Sequence, residues 1–202
     1  MSDCIYLLRH GHVSGGKPRR FLGQADVELS EQGKQQAIAL KSILEPVHFS
    51  QIFSSPLMRA RQTAELATGL SCADIQIVEQ FREIDLGRWE GLTVAEIQHR
   101  YPGQYEARGK HFDSFCPEDG ESFQDLQKRV LKAFEPLATH SMGNILIVAH
   151  AGVNRVILSH LQKSPLQDLL TIPQEYCAIN ILRKASPHPV ILSVNGHSIV
   201  ME

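Results

Sequence analysis

The sequence predicts an α/β fold of three layers, in which helices cover both faces of a mostly parallel sheet. Short apolar runs rich in branched residues alternate with segments of helical period, an alternation typical of this class. Two of the runs, residues 5–8 and 145–149, lead into histidines, His10 and His150. Because ligands bind beyond the carboxyl ends of strands in open parallel sheets, we expect both histidines in one crevice.

The remaining strands and helices follow from the same apolar pattern. Strands are expected over residues 5–10, 49–54, 75–78, 145–150, 177–183 and 190–194. Helices are expected over residues 31–45, 57–67, 94–101 and 153–161. Ser30 precedes the first of these helices as an N-cap, and Pro46 ends it.

A longer helix is expected to begin at Ser122, because the spacing of Ser122 and Asp125 is that of a capping box. Its apolar residues share one helical face: Phe123, Leu126, Val130, Phe134 and Leu137. Pro136 lies near the end of this pattern, so we expect a kink or an early stop there.

A single domain accounts for residues 1–202. This length suffices to bury a substantial core, and no repeat or low-complexity segment divides it. Residues 87–120 are irregular apart from the helix over 94–101. We therefore interpret them as a cap over the strand ends and not as a second domain.

The composition excludes several classes of protein. With 43% hydrophobic and 21% charged residues the chain is typical of globular proteins, and a formal net charge of -2 argues against a nucleic-acid-binding surface. No apolar stretch reaches the roughly 20 residues that span a bilayer, and the start lacks the pattern of a secretory signal. The four cysteines have no paired metal spacing, which favours reduced thiols and a cytoplasmic location. Edge strands near the carboxyl end leave a homodimer open.

A histidine at a strand end can be a nucleophile, a metal ligand or a packed core residue, and the neighbours of His10 favour the first. Arg9 places a cation beside the imidazole, which disfavours its protonation and keeps a nucleophilic nitrogen free. The guanidinium fork of Arg9 also matches phosphate oxygens. Gly11 lets the backbone approach closely. The three residues together indicate attack on phosphorus.

Five segments of the chain resemble, in order, the motifs of the histidine phosphatase superfamily, also called the phosphoglycerate-mutase-like family. They are residues 7–11, 21–33, 54–64, 81–91 and 148–152. One Arg-His-Gly triplet is a weak signal, whereas five segments that span nearly the whole chain are specific. The resemblance implies the phosphoglycerate-mutase-like fold.

The resemblance also implies roles for single residues. His10 would accept the phosphoryl group, and Arg9, Arg59 and His150 would bind its oxygens. Glu83 would donate and accept the proton. Two guanidiniums and an imidazolium would then supply the positive charge that phosphoryl transfer needs, without a metal or other cofactor. Taken singly, Arg59 would be interpreted as an ordinary surface charge on a helix, and Glu83 as part of a solvated charged loop. Only the joint pattern of the motifs favours a phosphate site.

Five further residues are candidates for binding the substrate. Gly23 and Gln24 lie where the family's loop approaches the substrate, and Ala151 shortly precedes a helix whose N–H groups would face the phosphate. Glu121 lies in a stretch that resembles a family segment ending in Gly-Glu-Ser, and it would contact the substrate or the pocket arginines. Ser14, with the backbone of residues 15–16, would replace a phosphate-binding asparagine that many members have and this chain lacks.

A second departure from the family pattern is His12, where many members have a glutamate. His10, His12 and His150 raise the alternative of a metal site. No carboxylate or cysteine joins them at ligand spacing, so no metal is expected.

Three functions remain to be compared. The first is a metal-independent phosphomonoesterase acting on a small phosphorylated metabolite; residues 23–29 and 173–180 are similar to α-ribazole-phosphate phosphatases, which serve cobalamin biosynthesis. The second is a phosphoglycerate mutase, which would need closing segments that this short chain lacks. The third is a phosphate-binding protein without catalysis, which would have lost one of the catalytic residues, and none is missing.

Overall fold

The computed structural model describes residues 3–14 and 18–198. Within them lie seven α-helices: α1 (Glu31–Ala39), α2 (Lys41–Leu44), α3 (Met58–Thr68), α4 (Val94–Arg100), α5 (Gln104–Lys110), α6 (Phe123–His140) and α7 (Ala151–Gln162). The described residues also form seven strands: β1 (Cys4–Arg9), β2 (Phe49–Ser54), β3 (Gln76–Ile77), β4 (Asn144–Ala149), β5 (Ile179–Arg183), β6 (Val190–Val194) and β7 (His197–Ser198). Short 3-10 helices occur between them.

The seven strands form one mixed sheet in the order β3-β2-β4-β1-β5-β6-β7. The half from β3 to β1 is parallel, whereas β5, β6 and β7 are joined antiparallel. In the central pair, Arg9 is level with Ala149, so β1 and β4 end at the same height. The residues that follow these two strands therefore emerge side by side.

Helices cover both faces of the sheet, and the three-layer α/β prediction is confirmed. Alternate residues of β1 point to opposite faces, so Leu7 joins one apolar cluster and Leu8 another. The cluster around Leu7 includes Val130 of α6 and Val156 of α7. The cluster around Leu8 includes Ala64 of α3, Leu44 of α2 and Leu40 at the junction of α1 and α2.

Most predicted elements are present, with two differences in the helices. The predicted helix over residues 31–45 divides at Leu40 into α1 and α2, and the Ser30 side chain caps α1 by accepting from the Gly33 N–H. The early stop predicted at Pro136 is wrong, because α6 continues past the proline to His140. Its buried face extends beyond the proline to Ala138, and this packing maintains the last turn.

Residues 87–120 contain two helices, whereas the sequence predicts one. The predicted helix is α4, which has a capping box between Thr93 and Glu96. The additional helix, α5, has no buried residue and no side-chain N-cap bond, so neither an apolar period nor a cap marks it in the sequence. Beneath both helices Trp89 is fully buried in the same apolar cluster as Ile147 of the sheet.

Both outermost strands, β3 and β7, are two residues long as described. Short edges offer few backbone groups to another chain, and a homodimer through them stays a prediction. None of the helices within residues 3–14 and 18–198 combines the length and apolar character needed to cross a bilayer.

Candidate active site

Three neighbouring strand ends bring the predicted phosphate-binding side chains together. His10 follows β1 and His150 follows β4, and their ring centroids are 5.1 Å apart. Both rings are buried, with 5% and 0% of each residue exposed. Ser55 follows β2, and Arg59 begins the first turn of α3 just beyond it.

The ring of His10 is held in one orientation by its own neighbour. Its Nδ1 lies 2.8 Å from the carbonyl oxygen of Gly11. A carbonyl can only accept, so Nδ1 carries the proton and the lone pair stays on Nε2. Burial, followed by the charges of Arg59 and Arg9, holds the pKa of His10 well below its usual value, and the bond to Gly11 opposes this only in part. The result is a neutral imidazole with a free Nε2.

Position 11 must be glycine because the backbone of α1 passes close to it. A Cβ at this position would lie 2.6 Å from the carbonyl oxygen of Gly33 in α1. The Gly11 N–H donates to the Thr63 hydroxyl at 3.0 Å. The close approach expected from the sequence is thus an approach to α1, which fixes the segment that carries His10.

The guanidinium of Arg59 is almost completely buried, with 2% of the residue exposed. Its Nη1 donates to the Ala25 carbonyl at 2.7 Å, and its Nη2 donates to the Gly23 carbonyl at 2.8 Å. Each of these nitrogens carries two hydrogens. One N–H on each nitrogen therefore remains for an anion beside His10. The bonds to the Gly23 and Ala25 carbonyls fix the loop that contains these two residues.

Arg9 approaches the same space from β1. Its Nη1 donates to the Gln174 carbonyl, and its guanidinium carbon lies 4.0 Å above the centroid of the Tyr176 ring. Its Nε is buried and has no hydrogen-bond partner among the described residues. Arg9 therefore retains donor capacity that no described group uses.

The environment of His150 disfavours the imidazolium expected from the sequence. Burial, then the charges of Arg59, His10 and other neighbours, holds the pKa of His150 well below its usual value. Its Nε2 lies 2.7 Å from the Ser55 hydroxyl, which also accepts from the Leu57 N–H. In the tautomer in which the Ser55 hydroxyl donates to Nε2, the proton of the neutral ring lies on Nδ1. That Nδ1 is buried and has no partner in the described part of the chain.

Glu83 lies opposite the histidines, where the helix after His150 begins. Its Oε2 accepts from the Gly152 N–H at 3.2 Å. A Cβ on Gly152 would lie 2.3 Å from the Glu83 Oε1, so only glycine leaves room for this carboxylate. The Glu83 carbonyl is held in turn by Arg129 Nη2 at 2.9 Å and by Gln24 Nε2 at 3.1 Å.

The chain matches the Histidine phosphatase superfamily (branch 1) over residues 5–197. It belongs to this superfamily. The match covers nearly all of the chain, and the protein is therefore an enzyme of the histidine phosphatase type, as the sequence motifs predict.

Individual members of the histidine phosphatase superfamily are similar over most of the chain. An adenosylcobalamin/alpha-ribazole phosphatase of Salmonella typhimurium is 30% identical over 82% of this chain and 82% of its own length. A 2,3-bisphosphoglycerate-dependent phosphoglycerate mutase of Cytophaga hutchinsonii is 29% identical over 82% of this chain and 80% of its own. The solved structure of Bacillus stearothermophilus YhfR is 31% identical, with a TM-score of 0.85 and coverage of 97% of this chain and 98% of that chain. Some relatives are longer proteins, of which this chain spans 43%.

The charged neighbours of Glu83 in this superfamily member do not form a solvated cluster around it. Arg82 pairs with Glu79, and Arg88 pairs with Glu118 and Asp119. These pairs are exposed. The Glu83 carboxylate instead bonds backbone N–H groups, including that of Ile84 at 3.0 Å.

The five residues predicted to bind the substrate are only partly brought together. Gly23 and Gln24 lie beside the site, the first through Arg59 and the second through the Glu83 carbonyl. Ala151 is the first residue of α7, whose N-cap His150 makes no side-chain cap bond, so its N–H is a candidate donor. Ser14 is exposed, and residues 15–16 lie outside the described chain.

Glu121 is placed away from the arginines that the sequence assigns to it. Its carboxylate pairs with Arg129 through both oxygens and accepts from the Asp85 N–H at 3.0 Å. Because Arg129 also holds the Glu83 carbonyl, Arg129 links Glu121 to the site, and contact of Glu121 with the substrate stays a prediction.

Several residues of the site were not found by sequence reasoning. They are Ser55, Thr63, Arg129, Gln174 and Tyr176. Ser55 and Thr63 lie inside the segment matched to the family, which was a usable signal. Gln174 and Tyr176 lie in the stretch 173–180, which was noted as similar to one subgroup but was assigned no role.

His12 does not join a metal-binding cluster. Its Nδ1 lies 2.7 Å from the Ser30 hydroxyl, and its ring packs edge-on against Tyr176 with centroids 5.1 Å apart. Within residues 3–14 and 18–198 no group of three or more His, Cys, Asp or Glu side chains is arranged to hold a metal ion.

Proposed function

We propose that the protein is a metal-independent phosphomonoesterase that acts through a phosphohistidine on His10. The observation that carries the proposal is a neutral, oriented imidazole beside the guanidiniums of Arg9 and Arg59 at one edge of the sheet. Phosphoryl transfer depends on in-line positioning and on positive charge around the equatorial oxygens. Two arginines with unused N–H groups supply that charge.

The reaction follows in two balanced steps. In the first, the Nε2 of His10 attacks phosphorus, the ester P–O bond breaks, and the protonated Glu83 carboxyl gives its proton to the leaving oxygen. In the second, the Glu83 carboxylate takes a proton from water, whose oxygen attacks phosphorus and breaks the P–N bond. Inorganic phosphate leaves, and both side chains return to their starting states.

The buried Nδ1 of His150 supports the proposed phosphate site. An unpaired polar atom in a buried position is costly, and a phosphate oxygen would satisfy it. The N–H of Ala151 at the start of α7 adds a donor of the kind that binds anions at helix N-termini. We assign both groups to the phosphoryl oxygens.

The proposed substrate is a small phosphorylated metabolite, with α-ribazole 5'-phosphate as the first candidate. The named phosphatase of Salmonella typhimurium, similar over 82% of both chains, supports this choice. The relative named as a phosphoglycerate mutase, 29% identical, favours phosphoglycerate isomerisation as the second candidate. A mutase must hold its intermediate and exclude water, whereas a phosphatase must admit water to the phosphohistidine.

The test is phosphate release from a panel of phosphomonoesters in the presence of a chelator. The panel contains α-ribazole 5'-phosphate, 3-phosphoglycerate and an aryl phosphate, with His10→Ala as the control. Hydrolysis that survives the chelator and is lost in the variant supports the phosphatase. Isomerisation of 3-phosphoglycerate without release of phosphate would identify the protein as a mutase. Hydrolysis retained by His10→Ala would contradict His10 as the nucleophile.

We further propose that the enzyme acts in the cytoplasm. Cys72, Cys116 and Cys177 carry free thiols, which persist in reducing compartments.

A further inference from the structure

We propose that Tyr176 is a positioning residue that sets the orientation of the Arg9 guanidinium through ring stacking. The inference rests on the proposed role of Arg9 in binding the phosphoryl group. Tyr176 belongs to the segment 174–178, which we call the Arg9 loop.

The Arg9 loop is bonded to the backbone on both sides of the nucleophile. The Arg9 N–H donates to the Ala178 carbonyl at 3.0 Å, and the Cys177 N–H donates to the His10 carbonyl at 3.3 Å. Cys177 has φ 59°, a left-handed conformation that is unusual for a residue with a Cβ. The loop therefore follows a turned path along Arg9 and His10.

Gln174 anchors the start of the Arg9 loop in the interior. Its side chain is buried, accepts from Asn154 Nδ2 at 3.0 Å and donates to Asn180 Oδ1 at 2.7 Å. Asn154 lies in the first turns of α7, after His150, and Asn180 lies in β5. The Gln174 carbonyl that holds Arg9 is thus tied to two elements of the site.

The Tyr176 ring, and not a carboxylate, covers the flat face of the Arg9 guanidinium. The guanidinium carbon lies 4.0 Å above the ring centroid, and among residues 3–14 and 18–198 no carboxylate lies within ion-pair distance of Arg9. A carboxylate would occupy the N–H edge that a phosphate needs. A stacked ring instead restrains the plane and leaves that edge free.

Tyr176 lies on the nucleophile's side of the site. Its ring centroid is 5.7 Å from that of His10 and 5.1 Å from that of His12. In an in-line transfer the leaving oxygen departs on the opposite side of phosphorus from the His10 nitrogen, towards Glu83. Loss of the ring should therefore slow every substrate by the same factor, whatever its leaving group.

The experiment compares Tyr176→Leu with Tyr176→Phe, which keeps the stacking ring. Tyr6→Leu is the matched control, because Tyr6 is a half-buried tyrosine whose ring packs on Phe49, at 5.2 Å, away from the histidines. We measure kcat and KM on two aryl phosphates of different leaving-group pKa, and inhibition by orthovanadate, with thermal unfolding as a check of folding.

We expect Tyr176→Leu to lower kcat/KM by roughly 3- to 30-fold, mainly through kcat. The fold-loss should be the same for both aryl phosphates. Orthovanadate should also inhibit Tyr176→Leu more weakly than the wild type. Tyr176→Phe should retain most of the activity, and Tyr6→Leu should retain all of it. The proposal is overturned if Tyr176→Leu is as active as the wild type, if its loss depends on the leaving group, or if Tyr6→Leu loses as much.

A calorimetric measurement of inorganic phosphate binding separates this inference from the proposed function. If the wild type hydrolyses nothing, the proposed function fails. The positioning of Arg9 is still tested, because Tyr176→Leu should then bind phosphate more weakly than the wild type and Tyr176→Phe should not. Equal phosphate affinity in Tyr176→Leu and the wild type contradicts the inference alone.

Discussion

The carboxylate of Glu83 accepts a hydrogen bond of 3.2 Å from the backbone N–H of Gly152, two residues after His150. One helix start therefore positions both the proposed acid and one proposed phosphate ligand.

Gly152→Ala tests this relationship directly. The new Cβ would lie 2.3 Å from the Glu83 Oε1, and the flexible carboxylate end must move away. We expect kcat to fall by roughly 100-fold, the scale of a misplacement of about 1 Å, while the inhibition constant of inorganic phosphate changes little. Gly109→Ala is the matched control, since a Cβ on that helical glycine meets nothing within 4 Å. Equal kcat values in the two variants would contradict the role of Gly152.

Glu83→Gln tests the proton transfer itself. An amide cannot protonate the leaving oxygen, so we expect a loss of about 10²- to 10⁴-fold on an alkyl phosphate. The loss should be much smaller on an aryl phosphate whose leaving group departs as an anion. Glu79→Gln serves as the control, because Glu79 is paired with Arg82 at the surface. Steady-state kinetics on both esters decides, and a loss independent of the leaving group argues against Glu83 as the acid.

The stability of the protein should fall as the pH falls below the usual histidine pKa of 6.5. Burial, together with the charges of Arg59 and Arg9, holds the pKa values of His10 and His150 well below that value in the folded state. Below pH 6.5 the unfolded chain binds protons that the folded chain does not, so acid favours unfolding. The loss of unfolding free energy rises towards about 1.4 kcal/mol per pH unit and per histidine as the unfolded histidines become fully protonated.

Urea unfolding between about pH 5.5 and 7.5 measures this slope. His150→Gln should reduce the slope, because one of the two proton-linked sites is gone. His99→Gln is the control, since His99 is exposed on α4, and its slope should equal that of the wild type. An unchanged slope in His150→Gln would show that His150 is not kept neutral by folding.

The placement of His10 and His150 could be predicted because it depends on local signals and one topological rule. Each histidine follows a short buried strand, and parallel strands end at the same edge of a sheet. The Arg9 loop could not be found this way. The bond from Arg9 to Gln174 joins residues 165 positions apart, and neither residue belongs to a periodic pattern.

Other parts of the site depend on contacts whose signal was present but not specific. Glu121 and Arg129 are eight residues apart, but Glu121 precedes Ser122, the N-cap of α6, so a helical period alone does not pair them. Family resemblance drew Glu121 towards the pocket arginines instead. The lowered pKa of His150 was also missed, because the burial that lowers it is set by the packing of three strand ends and not by its neighbours in sequence.

The pair of Glu121 and Arg129 should stabilise the segment that carries Glu83. Arg129 donates to the carbonyls of Gln80, Arg82 and Glu83 as well as to the Glu121 carboxylate. Arg129→Met leaves these acceptors and a carboxylate side chain that is only 15% exposed without their donor. We expect a loss of about 1–3 kcal/mol in unfolding free energy, with a lower kcat because the Glu83 backbone is released. Arg88→Met, which breaks an exposed pair, should cost less than about 1 kcal/mol and leave kcat unchanged. Urea unfolding and kinetics of both variants measure the difference, and equal losses would mean that Arg129 is one more surface charge.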